Sequence, residues 1–209
     1  MATCLPIRTR FQLVLFLLAL FGALIHGPAQ AQAQSAATPA ATAACGGLYN
    51  FQFKRLQDDA PQNLCQYSGR VALVVNTASY CGYTYQYEGL EKLYARYRDR
   101  GLVVLGFPSN DFEQEPGDSK QIADFCFNTY GVKFPMFAKS HVKGAEANPL
   151  YQALQRAGGS APAWNFHKYL IGRDGRLLAN WPSKVKPEDR ELNAAIEKAL
   201  QANAGPRAQ

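Results

Sequence analysis

Apolar residues run almost unbroken from Val71 to Val75 and from Leu102 to Phe107. Short, uniformly apolar runs suit strands covered on both faces. Between them Tyr87, Leu90, Leu93, Tyr94 and Tyr97 recur at intervals of three and four, which predicts a helix ending before Gly101. Asp118 and Gln121 form a capping-box-like start for a second helix, through Tyr130, that Gly131 ends. Pro135 to Lys139 reads as a strand, Pro149 to Arg156 as a short helix, and Tyr169 to Trp181 as a hairpin turning at Asp174-Gly175. Pro187 then opens the last helix, with Leu192, Ile196 and Leu200 along one side. Nearer the start, Leu48 to Phe53 alternates, Asp58-Asp59-Ala60-Pro61 turns and Asn63 to Tyr67 returns, an N-terminal β-hairpin. The order predicts an α/β fold with a central mixed sheet flanked by helices. Ligand chemistry is expected where the strand at Val71 meets the helix at Tyr87.

One apolar stretch stands outside this pattern. Arg8 and Arg10 precede a run from Phe11 to Ile25, and small residues follow at Ala29-Gln30-Ala31 and Ala31-Gln32-Ala33. The run falls short of the roughly 20 residues that span a bilayer, and the layout is that of a secretory signal. Residues 1–31 are therefore expected to be a cleaved signal, with cleavage after 31 or 33, although an uncleaved anchor fits the same run. Gln32 to Ala44 is Ala, Gln, Thr and Ser with one Pro, a composition that reads as a flexible leader. A folded domain is expected over 45–203, followed by a disordered tail at 204–209. The protein is expected to be exported, to a periplasm or the medium, with no stable insertion in the membrane once the signal is removed.

Composition narrows the function classes. The 209 residues are 47% hydrophobic and 12% aromatic, enough for one well-buried domain. The 22 Lys and Arg exceed the 16 Asp and Glu, but they alternate with acids, as in Glu91-Lys92 and Arg98-Asp99-Arg100. Nucleic-acid binders gather such residues into a stripe, so no nucleic-acid partner is expected. No Gly-rich phosphate loop, metal-ligand cluster or Ser-His-Asp order occurs, and no cofactor or metal is expected.

Cysteines stand at 4, 45, 65, 81 and 126, the first inside the expected signal. Cys45 and Cys65 bracket the predicted hairpin, and a disulfide between them would close a loop of about twenty residues, worth roughly 3 kcal/mol. Export permits it. Cys81 lies between the first strand of the βαβ unit and its helix. There the unpaired N–H groups and the dipole of a helix N-terminus favour negative charge on sulfur, and only a thiolate attacks. Position alone leaves a second reading open, that Cys81 is a small buried filler.

Several motifs carry the reading further. These are Asn76-Thr77-Ala78-Ser79-Tyr80-Cys81-Gly82-Tyr83-Thr84, then Gly106-Phe107-Pro108-Ser109-Asn110-Asp111-Phe112 followed by Gln114-Glu115-Pro116-Gly117. Phe134-Pro135-Met136-Phe137, Asn148-Pro149-Leu150-Tyr151 and Trp164-Asn165-Phe166-His167-Lys168-Tyr169-Leu170 complete the set. In this order, from about Tyr49 to Leu200, the chain resembles the glutathione peroxidase family, with cysteine where some members carry selenocysteine. The resemblance implies a thioredoxin-like fold and reduction of peroxides by a thiol cycle. Cys81 would hold the peroxidatic sulfur, and a thiol reductant, glutathione or a thioredoxin-like protein, would restore it. Trp164 and Asn165 match the family's site residues, whose N–H groups stabilise charge moving between sulfur and peroxide. Only a short Gly-Gly-Ser-Ala-Pro link joins Leu154 to Trp164, without the long insertion of tetrameric members, which implies a monomer with a thioredoxin-like donor.

Two positions depart from the family pattern. Asp111 stands where a glutamine is usual, and a carboxylate about 5 Å from a thiolate, at an effective dielectric near 20, would cost about 3 kcal/mol against ionising both. Either Asp111 shares one proton with Cys81 and delivers it to the departing oxygen, or it points away to cap a turn. Cys126 is the candidate resolving cysteine, but it sits one place earlier than that cysteine, about 100° around a helix. Buried helix packing is the other reading. A disulfide oxidoreductase would need a cysteine at position 84, where Thr84 stands, and a peroxiredoxin would need threonine at Ala78. An exported binding protein of the same fold with lost catalysis is the remaining alternative.

Overall fold

The computed structural model describes residues 45–202. The expected signal, leader and tail lie outside these residues. Among the described residues no helix is long and apolar enough to cross a membrane.

The two apolar runs form β3 (Val71–Thr77) and β4 (Leu102–Pro108), buried at every position and paired in parallel from Val71 opposite Leu102 to Thr77 opposite Pro108. Parallel neighbours need a crossover, and α1 (Gln86–Tyr97) supplies it. On the other side of β3 runs β5 (Lys168–Ile171), antiparallel, and outside it β6 (Leu177–Trp181). The sheet order is β4-β3-β5-β6, a mixed four-stranded layer as expected. Asp174-Gly175 makes the turn between the last two strands, with Gly175 at φ 78°.

A continuous run serves two cores because successive side chains leave a strand on opposite faces. Leu73 and Val75 pack with Leu90 of α1, Ile122 of α2 (Ser119–Tyr130), and Leu192 and Ile196 of α4 (Arg190–Gln201). Ala72 and Val74 face the other way, toward Val103, Leu105, Phe107 and the Leu150, Tyr151 and Leu154 side of α3 (Pro149–Arg156). The predicted capping box is present on α2, where Asp118 accepts from the Gln121 N–H and Gln121 from the Asp118 N–H, and Gly131 ends the helix at φ 61°. Such paired capping satisfies two N–H groups the helix itself leaves open.

Three local expectations are corrected. The N-terminal hairpin is shorter than the alternation suggested: β1 (Gln52–Lys54) pairs with β2 (Pro61–Asn63), while Gly47–Tyr49 and Leu64–Tyr67 are 3₁₀ turns. Leu48 cannot sit in that hairpin because its N–H donates to Gly175 O at 2.9 Å, and Gly47, at φ 67°, approaches Gly175 so closely that a Cβ would lie 2.5 Å from the same oxygen. Pro135 to Lys139 is a strap rather than a strand. Gly106 N donates to Pro135 O and Phe137 N to Gly106 O, after which Leu56 N bonds to Met136 O and Ala138 N to Lys54 O. Its hydrogen bonds are divided between β4 and the hairpin, so no ladder extends. Finally, α4 starts at Arg190 because Asp189, not Pro187, caps it by accepting from Glu191 N and Leu192 N.

The Cys45–Cys65 disulfide is formed, with Cα atoms 5.4 Å apart, and ties the start of the described chain to the turn after β2.

Candidate active site

At the C-terminal end of β3 the chain leaves the sheet through Ala78, Ser79 and Tyr80 and reaches Cys81. A compact turn holds this cysteine. Thr84 Oγ1 accepts from Cys81 N and donates to Ala78 O, each at 2.9 Å, and Thr84 N donates to Cys81 O. The Tyr83 N–H points at Cys81 Sγ, 3.3 Å away, a donor for negative charge on the sulfur. Cys81 is a free thiol and keeps 9% of its surface. It is recessed rather than sealed.

A second loop, Trp164 to His167, is fastened over the same strand end by Asn76. The Asn76 amide donates to Trp164 O at 3.1 Å and accepts from His167 N, and Asn76 O accepts from Phe166 N at 2.6 Å. These bonds hold Phe166 at φ 66°, a left-handed backbone that a bulky residue adopts only when its surroundings dictate it. Asn165 is fully buried, and its Nδ2 donates to Gln114 Oε1 at 3.1 Å. Trp164 is 40% exposed, its indole 5.3 Å from the Phe112 ring. Lys168, at the start of β5, is buried as well. It donates to Gln86 Oε1 and Phe166 O, both at 2.7 Å, and burial pushes its ammonium down to about 7.

The third loop leaves β4 and contains Asp111. Its carboxylate is buried and engaged elsewhere: His141 Nδ1 lies 2.6 Å from Oδ1, while Val142 N and Lys143 N donate to Oδ2 at 2.6 and 3.1 Å. Burial alone would raise its pKa, but the Val142 N–H, His141 and the Lys143 N–H together hold it below the ordinary carboxylate value. Of the two readings of Asp111, proton sharing with Cys81 or a turn cap, this geometry favours the second. Three donors from residues 141–143 occupy its oxygens, and it braces that turn. Further along the loop, Glu115 is buried, accepts from Ser79 Oγ at 3.0 Å, and is raised by burial.

Cys126 faces inward on α2 and shares the core with Cys81, whereas the next residue, Phe127, is 66% exposed. Burial pushes the Cys126 thiol up to about 11. The 100° step anticipated from spacing therefore separates a core position from a solvent position.

Four sequence-selected residues, Cys81, Asp111, Trp164 and Asn165, thus belong to loops at the C-terminal ends of β3 and β4 or at the entry to β5. Sequence reasoning assigns no supporting role to Asn76, which holds Trp164, Phe166 and His167, to Thr84, which holds Cys81, or to Gln114, which holds Asn165. The polar side chain of Asn76 at the end of an otherwise apolar strand was the available signal.

The chain is similar to known proteins over much of its length. A family model described as "Glutathione peroxidase" matches residues 48–155. A glutathione peroxidase of Lactococcus lactis subsp. cremoris is 45% identical over 158 residues, covering 73% of this chain and 99% of that protein. The thioredoxin/glutathione peroxidase BtuE of Escherichia coli is 40% identical over 168 residues, covering 68% and 92%. A crystal structure of Trgpx in apo form superimposes with a TM-score of 0.62 at 36% identity, over 77% of this chain and 99% of that one. The fold is thioredoxin-like, and the chain belongs to the glutathione peroxidase family.

Proposed function

We propose that Cys81 reduces hydrogen peroxide and organic hydroperoxides. The observation that carries this reading is a free thiol at a strand end, on a residue that keeps 9% of its surface, with the Tyr83 N–H aimed at the sulfur and Trp164 and Asn165 on the loop pinned to the same strand. The thiolate attacks the near oxygen of R-O-O-H, the O–O bond breaks, and Cys81 becomes a sulfenic acid while the alkoxide or hydroxide takes up a proton. A first reductant thiol then displaces water to give a mixed disulfide, and a second thiol releases Cys81 as the reductant leaves oxidised. The name of the Escherichia coli relative favours a thioredoxin-type donor or glutathione. The Cys45–Cys65 disulfide, together with the N-terminal signal-like pattern, supports action outside the cytoplasm.

Stopped-flow mixing with hydrogen peroxide tests the central claim. Cys81 is expected to form a dimedone-trappable sulfenic acid far faster than free cysteine does, and Cys81→Ser to consume no peroxide. A parent protein that reacts no faster than free cysteine would remove the enzyme assignment. A coupled assay with glutathione and a thioredoxin side by side identifies the donor.

A further inference from the structure

Lys168 puts an ammonium into a fully buried strand whose other residues are Tyr, Leu and Ile. It stands opposite Val75 of β3 and Trp181 of β6, and these two, with Leu170 on the same face of β5, belong to the core that contains Cys81. Among the described residues it is bridged to no carboxylate, and the acid that acts on it, Glu188, is exposed. Taking an ammonium out of water without a counter-charge is costly, and an apolar side chain of similar length fills the same space without that cost. What an apolar side chain lacks is donors.

Two donors are in use, and they reach the two segments that carry the site. One goes to Phe166 O and one to Gln86 Oε1, both at 2.7 Å. Phe166 is the residue at φ 66° directly after Asn165, and its N–H is held by Asn76 O, so the ammonium fastens this constrained backbone from its other side. Gln86 is the buried first residue of α1. Its N–H donates to Tyr83 O at 2.9 Å, and Tyr83 N is the group that points at Cys81 Sγ. The Gln86 amide is itself fixed, because its Nε2 donates to Ser183 O at 2.7 Å. One side chain therefore joins the Cys81 turn to the Trp164–Asn165 loop.

We propose that Lys168 is a positioning residue for peroxide reduction: by donating to Phe166 O and Gln86 Oε1 together, it sets the loop of Trp164 and Asn165 against the turn that carries Cys81. The proposal rests on the peroxidase reading of Cys81. Splitting the O–O bond moves charge from sulfur to the departing oxygen, so donors on both segments have to be in register. Alkylation of the same sulfur by a neutral reagent needs the thiolate alone.

That difference supplies the test. Two rate constants are measured on the full protein: oxidation of Cys81 by hydrogen peroxide, and its alkylation by iodoacetamide, read from the mass of the Cys81 peptide. Lys168→Met is expected to slow oxidation by about 10-fold or more and to slow alkylation by no more than about threefold. Gln86→Met, which leaves the ammonium only Phe166 O, is expected to slow oxidation selectively by about threefold or more, and the double variant to be no slower than Lys168→Met alone. Oxidation of Lys168→Met at the parent rate, oxidation and alkylation falling by the same factor, or losses that multiply in the double variant would each overturn the proposal. Gln86→Met oxidised at the parent rate overturns it as well, and decides the matter if Lys168→Met does not fold. A parent protein unreactive toward peroxide would instead remove the peroxidase reading beneath it.

Discussion

Asp111 and His141 form a clasp: Oδ1 of the buried carboxylate lies 2.6 Å from Nδ1 of the exposed imidazole, while Oδ2 takes the next two backbone N–H groups. The clasp bears on the site indirectly. Lys143, whose N–H it holds, places its Nζ 4.4 Å from the centre of the Phe112 ring, and Phe112 packs on Trp164.

Removing the carboxylate should therefore cost stability before it costs chemistry. Asp111→Ala leaves the Val142 and Lys143 N–H groups without their acceptor, a loss of about 1–3 kcal/mol. Thermal unfolding should show a midpoint several degrees lower, with the rate of Cys81 oxidation within about threefold of the parent. A large fall in rate at an unchanged unfolding midpoint would restore a proton-sharing role for Asp111.

The clasp should also give stability a particular pH dependence. Hydrogen bonding to Asp111 raises the His141 pKa above its ordinary value of 6.5, so the imidazolium's contribution is complete below that value and fades as pH rises through the higher folded one. Asp111 is shifted down, so its contribution is present above the ordinary 3.8 and fades as pH falls through the lower folded value. The clasp is strongest between those limits. The gap in unfolding midpoint between the parent and His141→Gln should be clear near pH 6 and should narrow by about pH 9. A gap that stays constant over that range would refute the linkage.

Cys126 should behave as core. Cys126→Ser is expected to keep the parent rate of peroxide reaction, with a loss of stability of about 1 kcal/mol from exchanging a buried thiol for a smaller, more polar hydroxyl. After one equivalent of peroxide, mass analysis of proteolytic fragments should find Cys81 as the sulfenic acid and Cys126 as the free thiol. A Cys81–Cys126 disulfide formed in the absence of added reductant would show that α2 opens to let Cys126 resolve.

Much of this arrangement was legible in the chain because periodicity and caps report burial. The run at Val71 to Val75, the helix repeat after Tyr87 and the Asp118–Gln121 pair each follow from local rules. The Pro135 segment and the stretch before Phe51 did not, because their hydrogen bonds go to residues remote in sequence: Gly106, Lys54 and Gly175. The site divides in the same way. Position at a strand end makes Cys81 a candidate, and resemblance selects it together with Trp164 and Asn165. The direction of Asp111 depends on residues 141–143, and the partnership of Asn165 depends on Gln114, fifty-one positions away. Neither spacing nor composition encodes such pairings.

The chain has two tryptophans, and they occupy opposite environments: Trp164 stands half in water against the Phe112 ring, while Trp181, at the end of β6, is enclosed. Their fluorescence should separate accordingly, with a long-wavelength emission quenched by iodide from the first and a shorter-wavelength, protected emission from the second. Solvent access at the outer indole can then be followed optically on the unlabelled protein, with the inner indole as an internal reference.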